Sequence, residues 1–130
     1  MFEKLEIFRM AQGLSQHAAS RQAVVARNIA HADTPGYRAR DVESFQDVWG
    51  AQGAASDGMR RSRAGHVHAA ATDTSIREMV VRSDTADPNG NTVSLETEIV
   101  KSAEVRQQHD MALSVYRSGM NVLRASLGRG

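Results

Sequence analysis

Apolar residues recur at Leu14, Ala18, Val25, Ile29 and Ala32, and Leu5 and Phe8 carry the stripe toward the start of the chain. These spacings fall on one helical face, so a single long helix is expected from about Glu3 to Asp33. Its seam is weak in the middle. Gln12, Ser15 and Gln22 stand near positions where a strong coiled coil carries leucine. The end of the helix is well marked: Pro35 disfavours helical geometry at Thr34. Thr34-Pro35-Gly36-Tyr37 fits a type II turn, with proline second and glycine third. At 1.5 Å per residue such a helix is a rod of roughly 45 Å.

A second long helix is expected from Ser94, a good N-cap, to about Leu127. Glu96 and Glu98 lie in its first turn, where the helix dipole favours anions. Leu113, Tyr116, Met120, Leu123 and Leu127 keep a 3-4-3-4 spacing. Traced backward, that seam meets His109, Arg106 and Ser102 before reaching Ile99. Both helices are therefore apolar toward the ends and polar at the centre. They match in length and are expected to pair as an antiparallel coiled-coil hairpin. Gly119 interrupts the second helix at a cost of up to about 1 kcal/mol, which close approach of a neighbouring helix would explain.

The segment between them differs. From Gly50 to Thr72, 11 of 23 residues are Gly or Ala, and only Met59 and Val67 are large and apolar. Such a stretch buries too little to offset the entropy of ordering it, and reads as a flexible or partner-ordered loop. Ile76 to Val81 fits a short strand or a helical turn. Asp87-Pro88-Asn89-Gly90-Asn91 is a strong turn signal. The expected fold is mainly α, with a largely irregular middle and at most a short β element. Residues 1–43 supply the first helix and its turn, 44–93 the middle, and 94–130 the second helix, which forms one structural unit with 1–43.

Composition sharpens this reading. Leu, Ile, Val and Phe make up 25 of 130 residues, 19%, and Ala supplies 19. That is below the share of a self-sufficient core, so the helices are expected to finish their packing against a neighbour. Basic and acidic residues nearly balance in all three segments, for a net charge of +1, which gives nucleic-acid binding little electrostatic support. With no cysteine, thiol chemistry is excluded. No apolar run is long enough to span a bilayer, and the first residues do not resemble a cleavable secretory signal.

Candidate chemistry is sparse. His66-x-His68 lacks a nearby cysteine and a defined third ligand, so solvated loop histidines are the simpler reading. His17, His31 and His109 have no oriented partner in the pattern. Glu96 and Glu98, two apart on a helix, point away from each other. Arg60, Arg61 and Arg63 form a short basic cluster that fits a solvated loop. There is no phosphate-binding glycine loop, nucleophile elbow or zinc spacing. No enzyme, cofactor, metal site or small-molecule substrate is expected; the pattern is that of a structural or interaction protein.

One stretch is more specific. Ala26-Arg27-Asn28-Ile29-Ala30-His31-Ala32-Asp33-Thr34-Pro35-Gly36-Tyr37 resembles the signature of the bacterial flagellar axial proteins, the rod and hook family, with His31 where that family usually carries Asn. Residues 1–8, Arg38-Ala39-Arg40-Asp41, Phe45 and Gly90-Asn91-x-Val93-x-Leu95-Glu96 resemble its proximal rod member in particular. Residues 106–117 lack the Arg-x-Tyr-x-x-Asn-type element of the other short rod proteins. The resemblance implies a structural subunit of the basal body rod, the shaft that carries motor torque to the hook. It implies export by the flagellar type III apparatus without a cleaved signal, into the periplasmic rod. The implied partners are copies of itself, a FlgC-like rod protein, the rod–base junction protein FliE and the export apparatus. An alternative is a FlgC-like short rod protein; a further one is a helical adaptor or chaperone of the export system. On the rod reading, Leu14, Val25, Ile29, Leu113, Tyr116, Met120, Leu123 and Leu127 hold the hairpin and its neighbours. Gln12, Gln22, Arg106 and His109 set register, and Asn28, Ile29, Ala30, Ala32, Thr34, Pro35, Gly36 and Tyr37 form the motif and turn.

Overall fold

A computed structural model describes residues 2–55, 76–82 and 85–128. Five elements follow in order: α1 (Phe2–Ala30), β1 (Arg40–Val42), α2 (Phe45–Ala55), β2 (Glu78–Val80) and α3 (Leu95–Leu127). The structure is mainly helical, built on the two long terminal helices. They run antiparallel: Asn28 meets Glu98, Arg21 meets Glu104, and Phe8 meets Tyr116. At 29 and 33 residues, each is a rod of roughly 45–50 Å. β1 and β2 form a two-stranded antiparallel sheet in which Asp41 faces Met79.

The termini of these helices follow from local chemistry. Ser94 caps α3, its hydroxyl accepting from the Thr97 N–H at 3.5 Å. α1 ends at Ala30, three residues before Asp33, because residues 31–33 already turn toward Pro35. Tyr37 N–H donates to the Thr34 carbonyl at 3.2 Å and Gly36 has φ +73°, as a type II turn requires.

The seam that closes the hairpin is one residue away from the apolar one on α3. Glu98, Val105 and Ala112 are buried there, with Lys101, Gln108, Val115 and Gly119 on the same 3-4 line. On α1 the matching line is Ala11, Leu14, Ala18, Arg21, Val25 and Asn28. Small residues let the backbones approach. A β-carbon on Gly119 would stand 2.9 Å from the Phe8 ring, so the helix-weakening glycine makes room for that phenylalanine.

One helix was not anticipated within segment 44–93. The Ser44 hydroxyl accepts from the Asp47 N–H at 3.2 Å and donates to the Asp47 carboxylate at 2.6 Å. This reciprocal contact at the N-cap starts α2. Phe45 and Trp49 stack on each other, and Trp49 lies against Gly13, where an added β-carbon would come within 3.3 Å. The rest of the Gly/Ala-rich stretch, with His66, His68, Arg60, Arg61 and Arg63, lies outside the described residues.

Candidate functional site

Two buried asparagines tie the hairpin together. Asn28 is fully buried, and its side chain makes four hydrogen bonds. Nδ2 donates to the Arg40 carbonyl at 2.7 Å and to the Glu98 carboxylate at 3.1 Å. Oδ1 accepts from the Arg40 N–H and the Tyr37 hydroxyl, each at 3.1 Å. All four of an amide's ordinary sites are thus in use. One side chain joins α1, the turn, β1 and α3.

Asn91 does the same for the end of α1. Its Nδ2 approaches the carbonyls of His31, Ala32 and Thr34 at 2.8–2.9 Å, and its Oδ1 accepts from the Val93 N–H at 2.8 Å. These carbonyls belong to the turn that follows α1; those of His31 and Thr34 also accept from the Thr34 and Tyr37 N–H, and the Asn91 amide gathers all three from a distant part of the chain. The two turns dock directly, Gly36 N–H donating to the Asn89 carbonyl and Thr92 N–H to the Tyr37 carbonyl. Gly36 and Gly90 both have positive φ, and a β-carbon on Gly90 would be 3.5 Å from the Gly36 Cα. Gly36→Ala is expected to cost about 1–2 kcal/mol from the left-handed backbone alone. Urea unfolding should show a lowered midpoint with an unchanged m-value. His31, the departure from the family motif, stacks on Tyr37 with centroids 4.7 Å apart, and its Nδ1 is 3.1 Å from the Thr34 hydroxyl.

A charge network continues the hub into the helices. Arg21 on α1 meets Asp41 on β1 at 3.1 Å and Glu104 on α3 at 3.4 Å. Lys101 on α3 meets Asp41 at 3.4 Å and Glu98 at 3.2 Å. Burial alone would raise the Asp41 pKa. The Arg21 and Val42 hydrogen bonds, with the charges of Arg21 and Lys101, outweigh it and hold Asp41 below its ordinary value of 3.8. A depressed carboxylate adds stability that is present above the unfolded-state pKa and lost as pH falls through the folded-state pKa. Unfolding midpoints should therefore drop as pH falls below 3.8, and Asp41→Asn should flatten that drop.

Arg21, Asp41, Glu98, Lys101 and Asn91 were not read as a site from sequence. Glu98–Lys101 is an (i, i+3) pair and is visible locally. The remaining partners are brought together only by the antiparallel return of the chain.

The apolar stripe of α3 lies elsewhere. Leu113 and Tyr116 are 38% and 48% exposed, and Leu127 is 80% exposed. Leu113 and Tyr116, with Leu5, Phe8, Met120 and Leu123, line an open groove of about 700 Å³ at the end of the hairpin away from the turn. Leu14 is half-buried and Val25 buried, while Ile29 is 40% exposed. Gln12, Gln22, Arg106 and His109, expected at polar seam positions, are exposed in the subunit. Of these four, His109 is the one with a hydrogen-bond partner among the described residues, Ser15 across the seam at 3.5 Å. The phase explains the difference. His17 and Val24 flank the inner line of α1 on the side where α2 and the sheet pack, whereas Gln12, Ser15, Gln22 and Ile29 flank it on the other. Among the described residues no further element packs on that second side, which is apolar at both ends and polar at its centre.

No helix among the described residues is long and apolar enough to cross a membrane. No family model matches the chain. Curated relatives span nearly all of it. The flagellar basal body rod protein FlgB of Escherichia coli strain K12 is 32% identical over 136 residues, covering 96% of this chain and 99% of the relative. FlgB of Agrobacterium fabrum strain C58 is 30% identical over 119 residues, 89% of this chain and 88% of the relative. FlgB of Salmonella typhimurium strain LT2 is 30% identical over 135 residues, 95% and 98%.

Proposed function

The chain belongs to the FlgB family of flagellar basal body rod proteins, and on that premise we propose that it is a non-enzymatic structural subunit of the proximal rod. The observation that carries this reading is the hairpin's bare face. The hairpin closes on itself with alanines, valines and a polar hub, and leaves Leu5, Phe8, Leu113, Tyr116, Met120 and Leu123 lining an open groove. A chain that spends its large apolar side chains on its outside is built to finish packing in an assembly. Neighbouring rod subunits, copies of itself and FlgC-like chains, cover that face. Gln12, Gln22, Arg106 and His109 at its polar centre penalise shifted registers, as single polar positions do in coiled coils. The rod so formed transmits torque to the hook.

The same economy suits passage through the flagellar type III apparatus. A hairpin with so few large buried residues unfolds at little cost and regains order when neighbours cover it. FliE is the partner proposed at the base of the rod. Fractionation tests the reading against an adaptor or chaperone of the export system: purified basal bodies should contain this chain. Its absence from them, with a cytoplasmic pool in export-competent cells, would exclude the rod assignment.

A further inference from the structure

The two-stranded sheet has one sealed edge and one open edge. On β1, the outward N–H and C=O of Arg40 are both bonded to the Asn28 side chain, which takes the place of a third strand. On β2 the alternation runs the other way. Val81 bonds Ala39 and Arg77 bonds Glu43 across the sheet, so Met79 faces Asp41 in the hydrogen-bonded pair between them. The backbone groups of Glu78, Val80 and, one step on, Arg82 therefore point away from β1. Among the described residues nothing bonds to those of Glu78 or Val80. Met79 and Val80 are about half exposed. An open edge with apolar side chains is a template for another strand.

We propose that this edge pairs with β2 of a second copy, antiparallel across a two-fold axis at Val80, giving a four-stranded sheet. Two observations select that occupant. First, β1 offers no edge, so between two copies the described strands can meet only β2 to β2. Second, the sequence Glu78-Met79-Val80-Val81-Arg82 complements itself in one register. Centred on Val80, the pairing sets Val80 against Val80, Met79 against Val81 twice, and Glu78 against Arg82 twice. Centring on Glu78 opposes two carboxylates, and centring on Met79 sets Glu78 against Val80. Opposite charges and apolar pairs across strands stabilise, and like charges directly opposite destabilise. The Glu78 carboxylate is held in place by Arg27 at 2.9 Å and Arg40 at 3.7 Å, so its position is set before the partner arrives. A two-fold pair is a closed contact, whereas a rod grows by open-ended ones. The dimer is a state of the free subunit, and its existence does not rest on the rod reading.

The chain has no cysteine, which makes the test clean. Sedimentation of the full chain up to roughly 100 µM, enough to populate a micromolar dimer, should show a species of twice 14.2 kDa. Arg82→Glu should weaken it at least about fivefold, whereas Arg82→Lys, which keeps the charge opposite Glu78, should retain it. On mild oxidation Val80→Cys should cross-link to a dimer, since hydrogen-bonded partners sit about 5.5 Å apart at Cα, within disulfide reach. Met79→Cys, which faces Val81 instead, should cross-link far less. Thermal melts of each variant check that the fold is kept. A chain that stays monomeric, or a dimer indifferent to Arg82→Glu with both cysteine variants cross-linking alike, would overturn the proposal.

Discussion

Replacing Asn28 by alanine is expected to destabilise the subunit by about 3–5 kcal/mol, a large share of what a domain of this size has to lose. Among the described residues, the substitution leaves the buried Glu98 carboxylate with Lys101 alone as a side-chain partner. It also strands the N–H and C=O of Arg40, and takes the acceptor from Tyr37. An unsatisfied buried polar group costs about 1–3 kcal/mol, more when charged. No compensating apolar contact is gained. Tyr37→Phe, which removes one bond of the four, should cost only about 1 kcal/mol. Urea unfolding of the two variants checks both values. Equal, small losses would mean that the hub does not hold the hairpin.

The second large effect concerns assembly rather than folding. Leu113→Glu combined with Tyr116→Glu places two carboxylates in the open groove, where both side chains are already part-exposed in the subunit. Unfolding midpoints should fall only modestly: Tyr116 loses its edge-to-face contact with Phe8, worth about 0.5–1.5 kcal/mol, while the buried hub is untouched. Burying two unpaired charges against a neighbour is prohibitive by comparison. Swimming in soft agar should therefore be abolished while the purified variant keeps its helicity. A motile strain carrying this variant would show that the groove is not a subunit contact.

The contrast between these two predictions reflects which features local pattern can reveal. The long helices were legible because their caps, Ser94 and the turn at Pro35, are local signals. The type II turn was legible because proline and glycine restrict the backbone directly. The packed seam was not, because it runs through Ala11, Ala18, Ala112 and Gly119 and through Arg21, Asn28, Glu98 and Lys101. A search for apolar periodicity passes over such a line and finds the stripe beside it. That stripe exists, but it faces outward. α2 was hidden by composition: its Ser44-x-x-Asp47 start is clear, yet the residues that follow are rich in glycine and alanine. Asn28 and Asn91 each stood in a recognisable stretch. That they serve one junction, with the helices closing from opposite directions, is a property of the topology.

The central claim is that the hub is internal to the subunit and the bare face belongs to its neighbours. Density for this chain within an intact basal body tests it most directly. Asn28 should be bonded to Glu98 of its own chain, and the groove lined by Leu113, Tyr116 and Met120 should be filled by side chains of adjacent subunits. A rod in which that groove faces open solvent, or from which the chain is missing, would contradict it.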